Sequence, residues 1–148
     1  VGDEYETEKE RDEKNVRKFG KAVANEFILS QYPGQPFSLV NEIIDIGIRI
    51  PPYIEELRNQ YPTPREFVEK VICIEEISIT EEYRGMGAFR SVLRELASKD
   101  FDYIVVGHVT QEYMISILEK NGWTRFEEFF NPLPTFYMSS KELLKKLP

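Results

Sequence analysis

The amino-acid sequence predicts an α/β fold, a mixed central sheet flanked by helices, on three observations. From residue 71 onward, apolar β-branched runs of strand length alternate with stretches of helical period. One of those strands changes the phase of its apolar alternation midway. A pair of glycines then leads from that strand into an amphipathic helix. With 148 residues, 41% hydrophobic and 30% charged, the chain suits one domain whose core needs no disulfide or metal.

Taken in order, residues 1–14 read as an acidic extension, because DEYETEKERDEK is polar throughout and would be disordered or helical and solvated. Residues 15–148 read as the single folded domain. Val16, Phe19, Val23 and Phe27 recur at helical spacing until Tyr32-Pro33-Gly34 stops them. Ile44, Ile46, Ile48 and Ile50 alternate with Asp45, Gly47 and Arg49, a half-buried strand ended by Pro51-Pro52. A short helix over Tyr53–Gln60 and a helical turn over Arg65–Lys70, capped by Thr63, come next.

Val71–Thr80 then reads as a strand, Gly87–Lys99 as a helix and Phe101–Val109 as a strand. Such a unit implies a parallel pair joined by a right-handed crossover. Gln111–Lys120 reads as a helix ending in a left-handed cap at Asn121-Gly122. Trp123–Phe130 and Thr135–Ser139 are two more strands, and Ser140 is expected to cap a last helix over Lys141–Lys146.

Composition excludes several functions. A net charge of −7 and a pI near 4.9 argue against nucleic acid, which needs clustered Lys and Arg. The single histidine and single cysteine leave no zinc-type ligand set, so no metal is expected. Cys73 sits in an apolar run and reads as core. No apolar run reaches the roughly 18 residues of a membrane span, and the first residues do not read as a signal peptide. The expected location is therefore the cytoplasm, away from any membrane.

The chemistry concentrates between residues 71 and 97. In VICIEEISIT the apolar positions are Ile72 and Ile74, then Ile77 and Ile79. One extra residue at Glu75-Glu76 resets the alternation, so a β-bulge is expected there, freeing a backbone N–H beside two carboxylates. The alternative is a strand buried on both faces with the two glutamates at its rim. Gly85 and Gly87 then permit a sharp turn before SVLREL, whose helix would present unpaired N–H groups and a favourable dipole to an anion. Arg84 and Arg90 could add charge. A P-loop is absent, and a dinucleotide fingerprint would need a glycine where Arg90 stands.

The segment ISITEEYRGMGAFRSVL resembles the acyl-CoA signature of the GNAT superfamily of N-acetyltransferases, a strand followed by Q/R-x-x-G-x-G/A and a helix. Arg84 and Gly87 match, while Phe89 replaces the last small residue. QEYMISILEKNGWTRF is similar to a second family block, with Gln111 at its usual Asn and Leu118 at its usual Tyr. The resemblance covers residues 71–139 and implies a mixed central sheet with a bulged, splayed signature strand. It implies acetyl-CoA as co-substrate, with main-chain groups near Ile77 and Ile79 pairing with the pantetheine. Arg84, Gly85, Met86, Gly87, Ala88 and Phe89 would cradle the pyrophosphate, with Gln111 nearby.

The reaction so implied passes an acetyl group to a primary amine on a small molecule, peptide or protein lysine. Glu75 and Glu76 are the candidate bases, although either could instead pair with Arg or Lys. His108 could shuttle a proton, and Tyr113 or Tyr137 could replace the missing tyrosine acid. The bulge N–H is the natural oxyanion donor. A catalytically inactive GNAT-like domain serving binding or assembly remains the alternative. Phe126, Phe129, Phe130 and Phe136 could cover a protein partner or a second copy as readily as a core.

Overall fold

Residues 7–30, 37–40, 42–51, 70–99, 101–126 and 133–147 are described by a computed structural model. Helix α1 spans Glu8–Ser30, so residues 8–14 of the acidic extension form its first turns. Thr7 starts it, its Oγ1 accepting the Glu10 N–H at 3.0 Å. Val16, Gly20, Val23 and Ala24 form the buried stripe, and Ala22 stays exposed.

Among the described residues, six strands make one sheet in the order β1-β2-β3-β4-β6-β5. They are β1 (Phe37–Val40), β2 (Ile44–Arg49), β3 (Val71–Ile79), β4 (Tyr103–Val106), β5 (Thr124–Phe126) and β6 (Thr135–Ser139). Of these six strands only β3 and β4 pair in parallel, and the other neighbouring pairs are antiparallel. Between them lies helix α2 (Ala88–Ala97), the crossover the sequence implies. Helices α3 (Glu112–Lys120) and α4 (Ser140–Lys146) follow, and a 3-10 turn spans Glu81–Tyr83 after β3.

The edge strand β1 is absent from the sequence reading. Its residues FSLV are half-buried and exposed in turn, and Val40 is 74% exposed, so no apolar face announces it. The helix expected over Tyr53–Gln60 and most of the turn over Arg65–Lys70 lie outside the described residues. Lys70 itself is not helical: it holds a left-handed φ of 58° just before β3. The cap of α4 is Ser139 rather than Ser140. Ser139 accepts the Glu142 N–H at 3.1 Å, while Ser140 is the helix's first residue and is buried. The Asn121-Gly122 cap is present, with Gly122 at φ 80° and the Trp123 N–H reaching back to Leu118 O at 3.1 Å.

The phase change in β3 is a true register shift. Gly47 of β2 faces Glu76 and Ile48 faces Ile74, so Glu75 has no partner across the ladder. That extra residue keeps Ile72, Ile74, Ile77 and Ile79 in one core, with α1, α2 and α3 packed on it. Val71, Cys73 and Val105 occupy the opposite face with half-buried Tyr103 and Tyr137. Without the bulge, Ile77 and Ile79 would change faces.

Candidate functional site

Strands β3 and β4 stay together for only four residues, Val71↔Tyr103 to Ile74↔Val106. The Gly107 N–H still reaches Ile74 O at 2.9 Å. His108 then turns the chain with a left-handed φ of 43°, its N–H donating to Thr135 Oγ1 at 3.1 Å. The Val109 N–H donates to Pro134 O, on the β6 side. From Glu75 onward the β4-facing edge of β3 therefore borders a gap.

The bulge decides which groups face that gap. Thr80 sends its N–H to Ile43 O, toward β2, so its neighbour Ile79 points the other way. By the same alternation Ile77 also directs its main-chain N–H and C=O into the gap.

Two cavities flank the gap. One, of about 230 Å³, is lined by Asp45, Glu75, Glu76, Ile77, His108 and Gln111 among others, and is acidic. Here the structure brings together five residues that the sequence singles out across 36 positions. Asp45 was missed, because its place in the β2 alternation marks it only as a solvated residue. Glu75 is committed: its Oε1 accepts from Arg49 Nε at 2.5 Å, in a pair whose side chains are 29% and 12% exposed. Glu76 is exposed across from Gly47.

The other cavity, of about 280 Å³, is more apolar and lies between α2, α3 and α4. Ile79, Gly85, Gly87, Ala88 and Phe89 line it, with Arg90 and Lys146 as its cations. Gly85 and Gly87 both take positive φ, 81° and 90°, as a turn this tight requires. The N–H groups of residues 85–90 find no acceptor among the described residues, and the first helical bond is Ser91 N–H to Gly87 O. Phe89 is 6% exposed and packs in the core while also bordering this cavity.

Sequence reasoning did not find Lys146 at this cavity, nor Arg17 beside the glycine turn. Arg17 comes from α1, and its Cγ lies 3.3 Å from where a Cβ on Gly87 would sit. Lys146 Nζ donates to Asn121 O at 2.8 Å. Both stand far from the glycines in sequence, and only packing brings them close.

Arg84 and Tyr113 line neither cavity. The Ile79 N–H donates to Tyr113 Oη at 2.6 Å, and Arg84 Nε–H donates to Ile79 O at 2.9 Å. The guanidinium carbon sits 3.7 Å from the centre of the Tyr113 ring. Arg84 is thus turned onto the strand rather than onto the expected phosphate site. Met86 is half-buried against the core. Leu118 is fully buried. Tyr137 lies edge-on to Tyr103, with ring centres 6.2 Å apart, in the cluster on the opposite sheet face. It is thereby removed as a proton donor at the gap. Phe136 is fully buried, so it covers the core and no partner, while the side chains of Phe126, Phe129 and Phe130 lie outside the described residues.

Among the described residues no cluster of three or more His, Cys, Asp or Glu is placed to hold a metal ion. None of the described helices is long and apolar enough to cross a membrane. No family model and no curated protein matches the sequence. Among solved structures, an uncharacterized protein from Bacillus halodurans aligns with 82% of this chain at 17% identity and a TM-score of 0.49. The alignment spans 66% of that protein's length.

Proposed function

We propose that the chain is an N-acetyltransferase of GNAT type that transfers an acetyl group from acetyl-CoA to a primary amine. The observation that carries this reading is the gap itself: a parallel strand pair that parts beside a bulge, next to a glycine turn whose amides find no acceptor among the described residues. The strand order and the single parallel pair support it, since that arrangement opens one sheet at its centre without exposing an outer edge.

Each cavity then has a role. The turn's N–H groups and the α2 dipole would receive the pyrophosphate, with Arg90, Arg17 and Lys146 adding charge at the rim. The apolar walls would take the pantetheine arm, pairing with the main chain at Ile77 and Ile79. The acidic cavity would hold the acceptor, because Asp45, Glu75 and Glu76 favour a cationic amine there.

For reaction, the ammonium must first lose a proton, and Glu76 is the base the geometry favours, directly or through water. Glu75 is held by Arg49, so its part is to fix the bulge. The amine nitrogen then attacks the thioester carbonyl, and the bulge N–H donates to the oxyanion. Collapse breaks the carbon–sulfur bond and gives the amide and a thiolate. With Leu118 in the core, Tyr113 is the hydroxyl available to protonate that thiolate, and His108 lines the route by which the amine's proton leaves.

One observation favours a second reading, a catalytically silent binding module: the Ile79 edge is already occupied by Tyr113 and Arg84. Calorimetry separates the two. The enzyme reading predicts saturable heat on adding acetyl-CoA, followed by thiol release once a polyamine or lysine-containing peptide is supplied. Absence of heat at millimolar acetyl-CoA contradicts it, and binding without thiol release across an amine panel supports the silent module.

A further inference from the structure

The two cavities meet along β3. Ile79 lines the apolar one and Ile77 and Ser78 the acidic one, and Tyr113 and Arg84 stand at the junction. The Ile79 N–H and C=O are a donor and acceptor on an unpaired strand edge, suited to an amide of an extended ligand. In this structure both are taken. Tyr113, from the first turn of α3, accepts the N–H, and Arg84, from the turn after β3, donates to the C=O. The guanidinium also stacks on the phenol ring, which joins the two side chains into one clasp.

This clasp differs from the other side chains around the gap. Phe89 and Leu118 are core residues and cannot move without opening voids. Arg84 is exposed, and Tyr113 is half-buried at the margin of the core, so neither is enclosed as Phe89 and Leu118 are. The Ile79 N–H serves one acceptor, so Tyr113 and a ligand carbonyl compete for it, while Arg84 takes one of the two acceptor positions of the Ile79 C=O.

We propose that Tyr113 and Arg84 form a gate that closes the β3–β4 slot in the ligand-free protein and opens only to a ligand whose own amide replaces them at Ile79. The proposal rests on the acetyl-CoA reading for its ligand, the amide-bearing pantetheine arm. It makes these two residues determinants of specificity: a thioester without an amide at that distance gains nothing at Ile79 to offset the lost clasp. It also sets a cost on binding, because the apparent affinity is reduced by the fraction of protein that is closed.

Tyr113→Phe removes the hydroxyl that holds Ile79 and keeps the ring under Arg84. The test titrates wild type and this variant with coenzyme A by calorimetry, and follows deuterium exchange at the Ile79 amide in both. The gate predicts faster Ile79 exchange in the free variant, slowed again at saturating coenzyme A. It predicts affinity tighter by about threefold to tenfold, the worth of one hydrogen bond. Where turnover is measurable, it predicts a lower KM together with a lower kcat, a split that a merely structural tyrosine would not give. Equal or weaker binding by the variant, or unchanged Ile79 exchange, overturns the gate and leaves the coenzyme reading standing. If neither protein binds coenzyme A, the coenzyme reading fails and the gate falls with it.

Discussion

Glu75 and Glu76 are adjacent in the chain but have different work. Glu75 is the residue the ladder skips, and its carboxylate is tied to Arg49 of β2, whose side chain is 12% exposed. Removing its charge takes one charged partner from a half-buried guanidinium. Glu75→Gln is therefore expected to lower stability by about 1–2 kcal/mol in a denaturant melt. Glu76 is exposed, borders the acidic cavity and has no comparable tie among the described residues. Glu76→Gln should leave stability within about 0.5 kcal/mol and, if it is the base, reduce thiol release about a hundredfold. The sequence could single out the pair through the phase change. It could not say which carboxylate was committed, because Arg49 lies 26 residues away and pairs with it only through β2 and β3.

At the scale of elements, the contact between α1 and α2 holds the glycine turn in place. Gly20 faces α2 so closely that a Cβ on it would lie 2.6 Å from Ala88 O, a backbone atom that cannot step aside. Gly20→Ala must push the helices apart, at a cost of about 1–3 kcal/mol, measurable as a lower Tm. The displacement falls on the first turn of α2, so anion binding at residues 85–90 should weaken as well. A mutant as stable as wild type would show that this close approach is dispensable. Such a contact is not legible in the sequence, where Gly20 looks like a weak point in a helix. Strand β3, α2 and the Asn121-Gly122 cap were legible, because each has strong local signals of alternation, amphipathic period or turn chemistry. Strand β1 had none of these, and Ser139 took the cap expected of Ser140 because the helix starts one residue early.

At the scale of the molecule, what matters is that one sheet is opened at its middle. Four parallel rungs hold β3 to β4, and then His108 diverts the chain toward β6 while the bulge turns Ile77 and Ile79 into the gap. The parallel pairing and the bulge follow from the order and phase of the sequence. The gap depends on His108 adopting a left-handed conformation, which nothing in its neighbours announces. The acidic cavity on one side and the apolar one on the other likewise arise from distant residues, Asp45 and Lys146 among them.

The central claim, that this gap and the adjoining turn receive an acyl-CoA, is tested most directly by backbone amide resonances titrated with coenzyme A. The account predicts saturable shifts confined to Ile77, Ile79 and residues 85–90, with small changes in β1 and β5. Shifts that are absent at millimolar ligand, or that centre on another face of the sheet, would contradict it.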